Sequence, residues 1–322
     1  MAAYSKINLF LKVVRKRPDG YHDLQSVMQS LALHDTLTIS AGPMDGPGGG
    51  FQLTCSDPSL PTCDRNLVTR AAKFMMREYG ITQPVSIRLE KRIPVAAGLA
   101  GGSSDCAATL LGFNRLFDLN IPVHNPGGAS LMGIGQNFGA DVPFCLMGGG
   151  ATASGTALAE GIGERLTPLP AHPDVWVVLA CPDIPVSTAD IFGRYVVRSQ
   201  GQSGCSKLTA MLEALSQGDV HKIAANFYND LTHITANLHR EVRHLIEEMK
   251  RQGAIAAAMS GSGPSVFGYF TQEETAQRAQ ERLQHIAGRA ILTRTIKKGA
   301  GAPGPKAGRT LRVLLAQATW EA

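Results

Sequence analysis

Residues 94–105 read Pro-Val-Ala-Ala-Gly-Leu-Ala-Gly-Gly-Ser-Ser-Asp and lie between a predicted strand and a predicted helix. Gly98, Gly101 and Gly102 permit positive φ and place no side chain over the backbone, so successive N–H groups can converge on one anion. The N-terminal end of the following helix adds a positive dipole, and the two serines add hydroxyl donors. The segment therefore predicts a loop that holds the phosphates of a nucleotide.

The loop alone leaves two interpretations open. It is not the GxxxxGK[ST] loop, because no Lys follows the last Gly, and it is not the GxGxxG dinucleotide fingerprint. The alternative to a phosphate loop is a surface turn before an ordinary helix, with Ser103 as the helix N-cap. The rest of the chain has to decide between them.

The first half of the chain is predicted to contain strands followed by helices. Alternating or β-branched apolar stretches predict strands, and apolar residues at helical spacing predict helices. The predicted strands are Ile7–Val14, Leu24–Leu33, Thr36–Ser40 and Val85–Leu89, and the predicted helices are Arg65–Tyr79, with Asp64 as N-cap, and Ser103–Phe117. This order favours an α+β fold over a wound βαβ repeat.

The second half begins at a Gly/Pro-containing stretch, Leu158–Pro170. Its predicted strands are Val175–Ala180, Ala254–Met259, Ser265–Phe270 and Ala290–Ile296, and its predicted helices are 207–216, 219–235, 237–252 and Glu273–Ala287. Helix 237–252 has one apolar stripe, formed by Leu238, Val242, Leu245, Ile246 and Met249. We therefore divide the chain into an N-terminal domain, 1–157, a C-terminal domain, 158–296, and a flexible basic tail, 297–322.

The composition is that of a globular protein, with 44% hydrophobic and 18% charged residues among 322. The net charge of +5 comes from the end of the chain, because residues 294–322 carry six basic residues and one acid. Residues 1–293, the body of the protein, have no net charge. A balanced body argues against nucleic-acid binding, which needs clustered Lys and Arg.

Six cysteines form no CxxC pair, so they predict buried thiols in a reducing compartment and no zinc site. The N-terminus has Lys6 and Asn8 where a signal peptide needs an apolar core. The uncharged stretches Val142–Ala159 and Gly253–Phe270 are broken by Gly, Ser or Pro. We expect a cytoplasmic protein that binds no membrane and is a monomer or weak homodimer.

Asp141 is the only charged residue between Asp118 and Glu160, in the sequence Gly139-Ala-Asp-Val-Pro143. A carboxylate in apolar surroundings is costly unless it has a partner, so Asp141 is a candidate for proton transfer. Lys6, on the first strand, is a natural partner. The alternatives are that Asp141 caps the following turn and that Lys6 faces solvent.

Four segments together resemble the motifs of the GHMP small-molecule kinases, in order and spacing. They are Ser5–Phe10, residues 94–105, Gly139–Pro143 and the donor-rich turn Ser260-Gly-Ser-Gly-Pro264, which can approach a phosphate or rest against the first loop. Arg17–Leu24 is similar to the branch of this family whose substrate carries a cytidine diphosphate. The resemblance covers about residues 4–296.

The sequence departs from the family pattern at three positions of the loop and the helix after it. Ala96 and Ala100 stand where the Gly-richest loops have Gly, and Cys106 stands where Ala is commoner. A methyl group is tolerated where φ is negative, so these departures are expected to affect the tightness of the turn more than function.

The resemblance implies an α+β, two-domain GHMP kinase architecture, with an N-terminal ribosomal-protein-S5-like domain and a C-terminal ferredoxin-like domain. It also implies ATP-dependent phosphorylation of the 2-hydroxyl of a cytidine-diphosphate-linked methylerythritol, in the non-mevalonate isoprenoid pathway. Mg²⁺ would be carried by ATP, with no metal site made by the protein alone.

The same resemblance implies a role for each motif residue. Asp141 would accept the hydroxyl proton, and Lys6 would keep Asp141 ionised. ATP would be held by Pro94, Val95, Ala96, Ala97, Gly98, Leu99, Ala100, Gly101, Gly102, Ser103 and Ser104. The substrate would be bound by Asn8 and His22 and stacked between Tyr21 and Phe192, while Gly261, Ser262 and Gly263 would support the phosphate loop.

Two other functions fit parts of the pattern. One is a GHMP kinase for another small alcohol, such as mevalonate or homoserine, although a Tyr21-His22 pair ready to meet a base has no use on a bare alcohol. The other is a non-catalytic nucleotide-binding protein on the same fold. The presence of both Lys6 and Asp141 argues against it.

Overall fold

The structure is a computed structural model, described here for residues 1–42, 50–148, 155–196 and 202–296. These residues form two β-sheets with helices packed on them. The elements are β1 Ala2–Lys16, β2 His22–Ala41, β3 Phe51–Cys55, α1 Leu67–Glu78, β4 Val85–Glu90, α2 Gly101–Leu116, α3 Leu131–Gln136, α4 Val142–Gly148, β5 Thr156–Gly161, β6 Arg165–Pro168, β7 Trp176–Ala180, α5 Thr188–Arg194, α6 Gln202–Gln217, α7 Val220–Ala225, β8 Tyr228–Asn229, α8 Thr232–Leu238, α9 Arg240–Arg251, β9 Ala256–Met259, β10 Val266–Phe270, α10 Glu273–Ala287 and β11 Ala290–Arg294.

The first sheet has the strand order β3-β4-β2-β1-β8, and the hairpin β5–β6 pairs with β2. Helices α1 and α2 lie on this sheet because their apolar faces, including Met75, Leu110 and Phe113, pack with Leu37 and Ile87 of the strands. The antiparallel pairing of β1 with β2 shifts register near Lys6 and Asn8. Such bulges re-aim side chains, and here they lie at the residues that the sequence marks as catalytic or substrate-binding.

The second sheet is antiparallel, with the order β11-β7-β10-β9. Numbered along the chain, this is the fourth, first, third and second strand, which is the ferredoxin-like order. Val242, Leu245 and Met249 of α9 are buried against it. Gly268 of β10 leaves the room that Met249 occupies. The two sheets and their helices agree with the α+β prediction.

One apolar cluster joins the two sheets. It contains Phe10 and Leu31 from the first sheet together with Leu179, Phe267 and Tyr269 from the second. Strand β8 also pairs in parallel with β1, although it follows the second sheet's first strand in the chain. The predicted domain boundary at 157/158 falls inside β5, and the chain passes from the first sheet to the second between β6 and β7.

The strands predicted at Leu24–Leu33 and Thr36–Ser40 are confirmed as parts of one long strand, β2, and Leu158–Pro170 contains β6 and most of β5. Two other local predictions were wrong. The predicted helix 219–235 is divided into α7, β8 and α8, because the chain between the helices pairs with β1. Leu238 ends α8 and is exposed, so it is not part of the α9 stripe.

The helix N-caps also differ from those predicted. The N-cap of α1 is Asn66, whose side chain accepts a hydrogen bond from the Val68 N–H, while Asp64 lies outside the helix and pairs with Lys73. Ser103 lies within α2, which begins at Gly101. In the described ranges no helix is both long enough and apolar enough to cross a membrane. The predicted tail, 297–322, lies outside the described residues.

Candidate active site

The side chains of Lys6 and Asp141 form an ion pair. The Lys6 Nζ lies 3.5 Å from the Asp141 Oδ2, with the Lys6 side chain 5% exposed and the Asp141 side chain 31% exposed. Lys6 is therefore buried and does not face solvent as the alternative interpretation expected. Its Nζ also donates to the Asn8 Oδ1 at 2.8 Å and to the Gly98 carbonyl at 3.4 Å.

The phosphate loop has a different backbone from the one that its glycines suggest. Among its three glycines only Gly98 has positive φ, 73°, while Gly101 and Gly102 are the first residues of α2. Ala96 and Ala100 adopt positive φ, 53° and 58°. The expectation of negative φ at the alanines was wrong. A left-handed alanine costs roughly 1–2 kcal/mol, and such strain is characteristic of functional loops.

The start of α2 is open to an anion. The residue before it, Ala100, makes no side-chain cap, and the Ser104 N–H donates to the Ala100 carbonyl at 2.9 Å. The N–H groups at positions 101 to 103 precede that first bond and have no partner within the helix. The Ser104 side chain is buried, and its hydroxyl donates to the Gly101 carbonyl at 2.9 Å. The backbone and Ser103, more than Ser104, are the donors presented by this helix end.

A cavity of about 340 Å³ lies on one side of the loop. One part of its wall is apolar, and another is the loop itself and the start of α2. The apolar residues are Leu60, Pro61, Leu67 and Leu89, the polar and charged ones outside the loop are Arg65, Asn66, Lys91 and Asp105, and the loop residues are Pro94 to Gly98 and Ala100 to Ser103. This cavity can hold a flat apolar ring at one end and a polyphosphate at the other.

A second cavity, of about 260 Å³, contains the Lys6–Asp141 pair. Gly98, Ala100 and Ser103 line both cavities. A group bound on the loop in the first cavity would therefore lie next to the cavity that Lys6 and Asp141 line. This arrangement suits transfer of a group from a ligand of the first cavity to a ligand of the second.

The turn Ser260–Pro264 rests against the phosphate loop. The Ser260 Oγ donates to the Gly98 carbonyl at 3.0 Å. Gly98 has no side chain, and a Cβ there would lie only 2.5 Å from the Ser260 carbonyl oxygen. Of the two roles predicted for the turn, the structure has the contact with the first loop, while Gly261 and Ser262 also line the second cavity.

Asn8 lines the second cavity, but its amide is engaged by the protein. It accepts from Lys6, and its Nδ2 donates to the Ser26 Oγ at 2.8 Å. Ser26 in turn donates to the Phe10 carbonyl at 2.8 Å. In this structure Asn8 orients Lys6, and its predicted bond to a substrate stays a prediction.

The three ring residues predicted to bind the substrate, Tyr21, His22 and Phe192, have different environments. The His22 ring lies 5.4 Å from that of Phe192, which lines the second cavity. His22 is buried, its Nε2 has no hydrogen-bond partner among the described residues, and burial lowers its pKa below the usual value. Tyr21 is 62% exposed at the start of β2, so its stacking role is not tested by the structure.

The sequence analysis missed a buried charge cluster beside the loop. The Lys91 Nζ pairs with the carboxylates of Asp35 and Asp105, at 2.7 Å from the Asp105 Oδ2, and all three side chains are almost fully buried. Asp35 also accepts from the Ile93 N–H at 2.9 Å. The sequence signal for this cluster is a pair of opposite charges at the two ends of the loop, since Lys91 lies three residues before Pro94 and Asp105 is the last residue of the motif.

Burial has a large effect on Asp105. It raises the pKa of Asp105 to about 7, and the Asp35 carboxylate adds to this while Lys91 opposes it. The Asp105 Oδ1 has no hydrogen-bond partner among the described residues. The cluster contains two acids and one base, so a proton on Asp105 removes the excess negative charge beside the loop that the sequence predicts to bind phosphate.

Comparison with known proteins assigns the family. A family model described as GHMP kinases N terminal domain matches residues 66–149, and one described as GHMP kinases C terminal matches residues 211–289. The 4-diphosphocytidyl-2-C-methyl-D-erythritol kinase of Acetivibrio thermocellus is 40% identical, over 92% of this chain and 98% of that protein. The chain belongs to this family of GHMP kinases.

Other similar proteins support the assignment. The 4-diphosphocytidyl-2-C-methyl-D-erythritol kinase of Gloeobacter violaceus is 41% identical, over 83% of this chain and 84% of that protein. A crystal structure of 4-(cytidine 5'-diphospho)-2C-methyl-D-erythritol kinase superposes with a TM-score of 0.72 at 32% identity, covering 92% of this chain and 98% of that one. Homoserine kinase from Cytophaga hutchinsonii, at 19% identity and a TM-score of 0.69 over 85% and 90% of the two chains, shares the fold.

This GHMP kinase is therefore an ATP-dependent small-molecule kinase, and the predicted two-domain α+β fold is confirmed. The Lys6–Asp141 ion pair joins the first motif to Gly139–Pro143, and Gly98 of the Gly-rich loop contacts Ser260 of the last motif. In the described parts of the chain, no group of three or more His, Cys, Asp or Glu side chains is placed to hold a metal ion.

Proposed function

We propose that this kinase transfers the terminal phosphoryl group of ATP to the 2-hydroxyl of 4-diphosphocytidyl-2-C-methyl-D-erythritol. The observation that carries the proposal is the meeting of two cavities at Gly98, Ala100 and Ser103, with Lys6 and Asp141 in the second one. The substrate class follows from the relatives, which are kinases of this compound at 36–41% identity.

In the proposed reaction the 2-hydroxyl oxygen attacks the terminal phosphorus of ATP. The bond from that phosphorus to its bridging oxygen breaks, and ADP leaves. The hydroxyl proton goes to the Asp141 carboxylate, whose Oδ2 lies 3.5 Å from the Lys6 Nζ. Catalysis in such transfers depends mainly on positioning and on stabilising the charge of the transferred group.

The loop residues Pro94 to Ser104 would hold ATP, with the purine in the apolar part of the first cavity and the phosphates at the start of α2. Mg²⁺ bound with the nucleotide would neutralise the charge on the transferred group, and Ser103, which lines both cavities, would supply a hydroxyl near it. Gly261, Ser262 and Gly263 would support the loop from the second domain.

The cytosine ring of the substrate would stack between Phe192 and Tyr21, and His22, whose ring lies 5.4 Å from that of Phe192, would hydrogen-bond the substrate. Asn8 would reach the substrate only by exchanging one of its present partners. We further propose that the enzyme acts in the cytoplasm as a monomer or weak homodimer, in the non-mevalonate isoprenoid pathway, without binding nucleic acid or membranes.

The test is release of ADP by purified enzyme with each of three alcohols: the cytidyl compound, mevalonate and homoserine. We expect release with the cytidyl compound alone. Asp141→Asn should lower kcat by about 10²–10⁴-fold and leave ATP affinity near wild type, because Asn keeps the shape but cannot take the proton.

Asp118→Asn is a matched control, because Asp118 is exposed and has φ of 47°, a conformation that Asn tolerates. Release only with mevalonate or homoserine, or with none of the three, would overturn the substrate assignment. Turnover by Asp141→Asn within a few-fold of wild type would show that Asp141 only caps the turn before α4.

A further inference from the structure

Asn229 has a side-chain amide whose hydrogen bonds all go to the backbone. Its Nδ2 donates to the Met259 carbonyl at 2.9 Å and to the Gly261 carbonyl at 2.8 Å. Its Oδ1 accepts from the Leu231 N–H at 2.9 Å. Two carbonyl oxygens on one side and an N–H on the other fix the orientation of the amide.

The strand that carries Asn229 belongs to the first sheet. β8 is only two residues long and pairs in parallel with β1, where Asn229 is the register partner of Leu11. The carbonyls that Asn229 holds belong to the end of β9 and to the turn after it, in the second sheet's part of the molecule. Asn229 therefore connects the strand that carries Lys6 and Asn8 to the turn Ser260–Pro264.

The turn Ser260–Pro264 combines two internal backbone hydrogen bonds with two glycines. The Ser260 N–H donates to the Ser265 carbonyl at 2.9 Å, and the Gly263 N–H donates to the Ser260 carbonyl at 2.9 Å. Gly261 and Gly263 both have positive φ, at 58° and 88°. A second side chain holds it from outside, since the Thr235 Oγ1 donates to the Ser262 carbonyl at 3.1 Å. Successive carbonyls at the turn are thus held by Asn229 and Thr235, which lie on β8 and α8. Glycine-rich turns gain order from such external bonds.

The position of the turn affects the reacting groups through Gly98. The turn contacts Gly98 through Ser260, and the Gly98 carbonyl accepts from the Lys6 Nζ. A displacement of the turn would shift Gly98 and with it the ammonium that faces Asp141. Because misplacement by about 1 Å can cost 10²-fold in rate, this path is enough to change catalysis.

We infer that Asn229 is a positioning residue for phosphoryl transfer, which acts by holding the Ser260–Pro264 turn against the phosphate loop. Asn229 is not among the residues that line either cavity, so it acts through the turn. The inference rests on the proposed kinase reaction, and it concerns the turnover step whichever alcohol the wild-type enzyme accepts.

The test is Asn229→Asp, which keeps the shape of the side chain and replaces the donor with an oxygen facing two carbonyls. We expect kcat to fall by about 10- to 100-fold while the KM for ATP stays within about threefold, because no residue of the turn lines the first cavity. A merely structural role would lower the melting temperature without this separation of kcat from KM.

Asn226→Asp is the matched control. The Asn226 Nδ2 donates to the Lys222 carbonyl at 2.8 Å, a local and exposed bond at the end of α7. Its kcat and KM should equal those of the wild type. Nucleotide binding measured by ligand-induced thermal shift gives a second readout, which does not depend on the identity of the alcohol.

Thr235→Val provides an independent variant, since it removes a second side-chain bond to the turn's carbonyls with little change in volume and leaves the bond between the Thr188 and Ser262 hydroxyls in place. It should lower kcat by about three- to tenfold, and its effect should not add to that of Asn229→Asp, because both act on one turn. A kcat within twofold of wild type for either single variant would overturn the inference. If Asn229→Asp does not fold, Thr235→Val alone decides it. Failure of the wild type to use the cytidyl compound would instead count against the proposed substrate.

Discussion

Lys6 illustrates how a single residue depends on its neighbours for its chemistry. An ammonium that is 95% buried needs polar partners, and this one has the Asn8 amide, the Gly98 carbonyl and the Asp141 carboxylate. These partners come from the same strand, from the phosphate loop and from the residue before α4. Lys6 therefore links the phosphate loop to Asp141, the proposed general base.

Gly98→Ala tests the contact between the loop and the turn. A Cβ at position 98 would lie 2.5 Å from the Ser260 carbonyl oxygen and 3.1 Å from that of Gly263, in a residue with φ of 73°. Because both obstacles are backbone atoms, the loop or the turn must move. We expect kcat to fall at least about tenfold and the melting temperature to drop by several degrees.

Gly193→Ala is the matched control for that substitution. Its Cβ would have no atom within 4 Å, and it lies in helix α5, where Ala is favoured over Gly. Its melting temperature should equal or exceed that of the wild type. Normal turnover by Gly98→Ala would mean that the loop and turn do not need their present contact.

Tyr21→Ala tests the proposed stacking on the cytosine ring. Stacking on a base is worth roughly 1–3 kcal/mol and persists through the reaction, so its loss should raise the KM for the cytidyl substrate about tenfold or more and leave the KM for ATP near wild type. Steady-state kinetics with each substrate varied in turn measure both. Because Tyr21 is 62% exposed, the melting temperature should not change. Equal effects on the two KM values would assign Tyr21 to the fold.

At the scale of elements, the phosphate loop is anchored at both ends. Near its start, Asp35 of β2 accepts from the Ile93 N–H at 2.9 Å. Near its end, Asp105 of α2 pairs with Lys91, which also pairs with Asp35. The strand β2, the segment after β4 and the helix α2 are thus joined beneath the loop. This connection explains how a loop with two left-handed alanines keeps one conformation.

Asp105→Asn should change the pH dependence of stability. Burial raises the pKa of Asp105 to about 7 in the folded state, against about 3.9 in an unfolded chain. Between these values the folded state holds a proton that the unfolded state has lost, so the unfolding free energy falls as the pH rises. The variant lacks this contribution. Between pH 4 and pH 8, the unfolding free energy of the wild type should therefore fall by on the order of a few kcal/mol more than that of Asp105→Asn.

Urea denaturation of both proteins at several pH values in this range measures the difference. Burial lowers the pKa of His172 to about 4. Its contribution to the unfolding free energy therefore rises with pH between about 4 and its usual pKa, which is opposite to the contribution of Asp105. That contribution is common to both proteins and cancels in the comparison. Parallel stability curves for the wild type and Asp105→Asn would mean that Asp105 is ionised throughout.

At the scale of the whole molecule, the two sheets do not form independent halves. The cluster around Phe10, Leu179 and Phe267 belongs to both, and Leu31 bridges to Thr295 after β11. The Lys6–Asp141 pair and the loop belong to the first sheet's part of the chain, while the turn that supports them belongs to the second. The active site therefore requires both parts to be folded together.

The basic tail is expected to be dispensable for this assembly. A chain ending at Lys298 should fold, keep its kcat and melt within about 2 °C of the full chain, because a Gly/Pro-rich segment buries too little apolar surface to order itself. Differential scanning calorimetry of the two chains measures this. If Leu311–Trp320 docks on the body, each large side chain fully buried would add about 1.5–3 kcal/mol, and truncation would lower the midpoint by several degrees.

Local chemistry made the motifs predictable from the sequence. The glycines and serines of 94–105 indicate an anion site before a helix. The isolation of Asp141 among uncharged residues indicates a candidate for proton transfer. Most strands and helices were predicted for the same reason, because their apolar periodicity is written in consecutive residues. The helix predicted over 219–235 was wrong because a pairing with β1, more than 200 residues away in the chain, outweighs local propensity.

Only the tertiary structure decided which residues meet. Lys6 and Asp141 lie 3.5 Å apart although 134 residues separate them in the chain, and Asn229 holds carbonyls that follow it by about 30 residues. The positive φ of Ala96 and Ala100 is also a tertiary result, since an isolated alanine avoids it and the anchored loop imposes it. Contacts of this kind depend on how the two sheets pack, and no local pattern of residues records that packing.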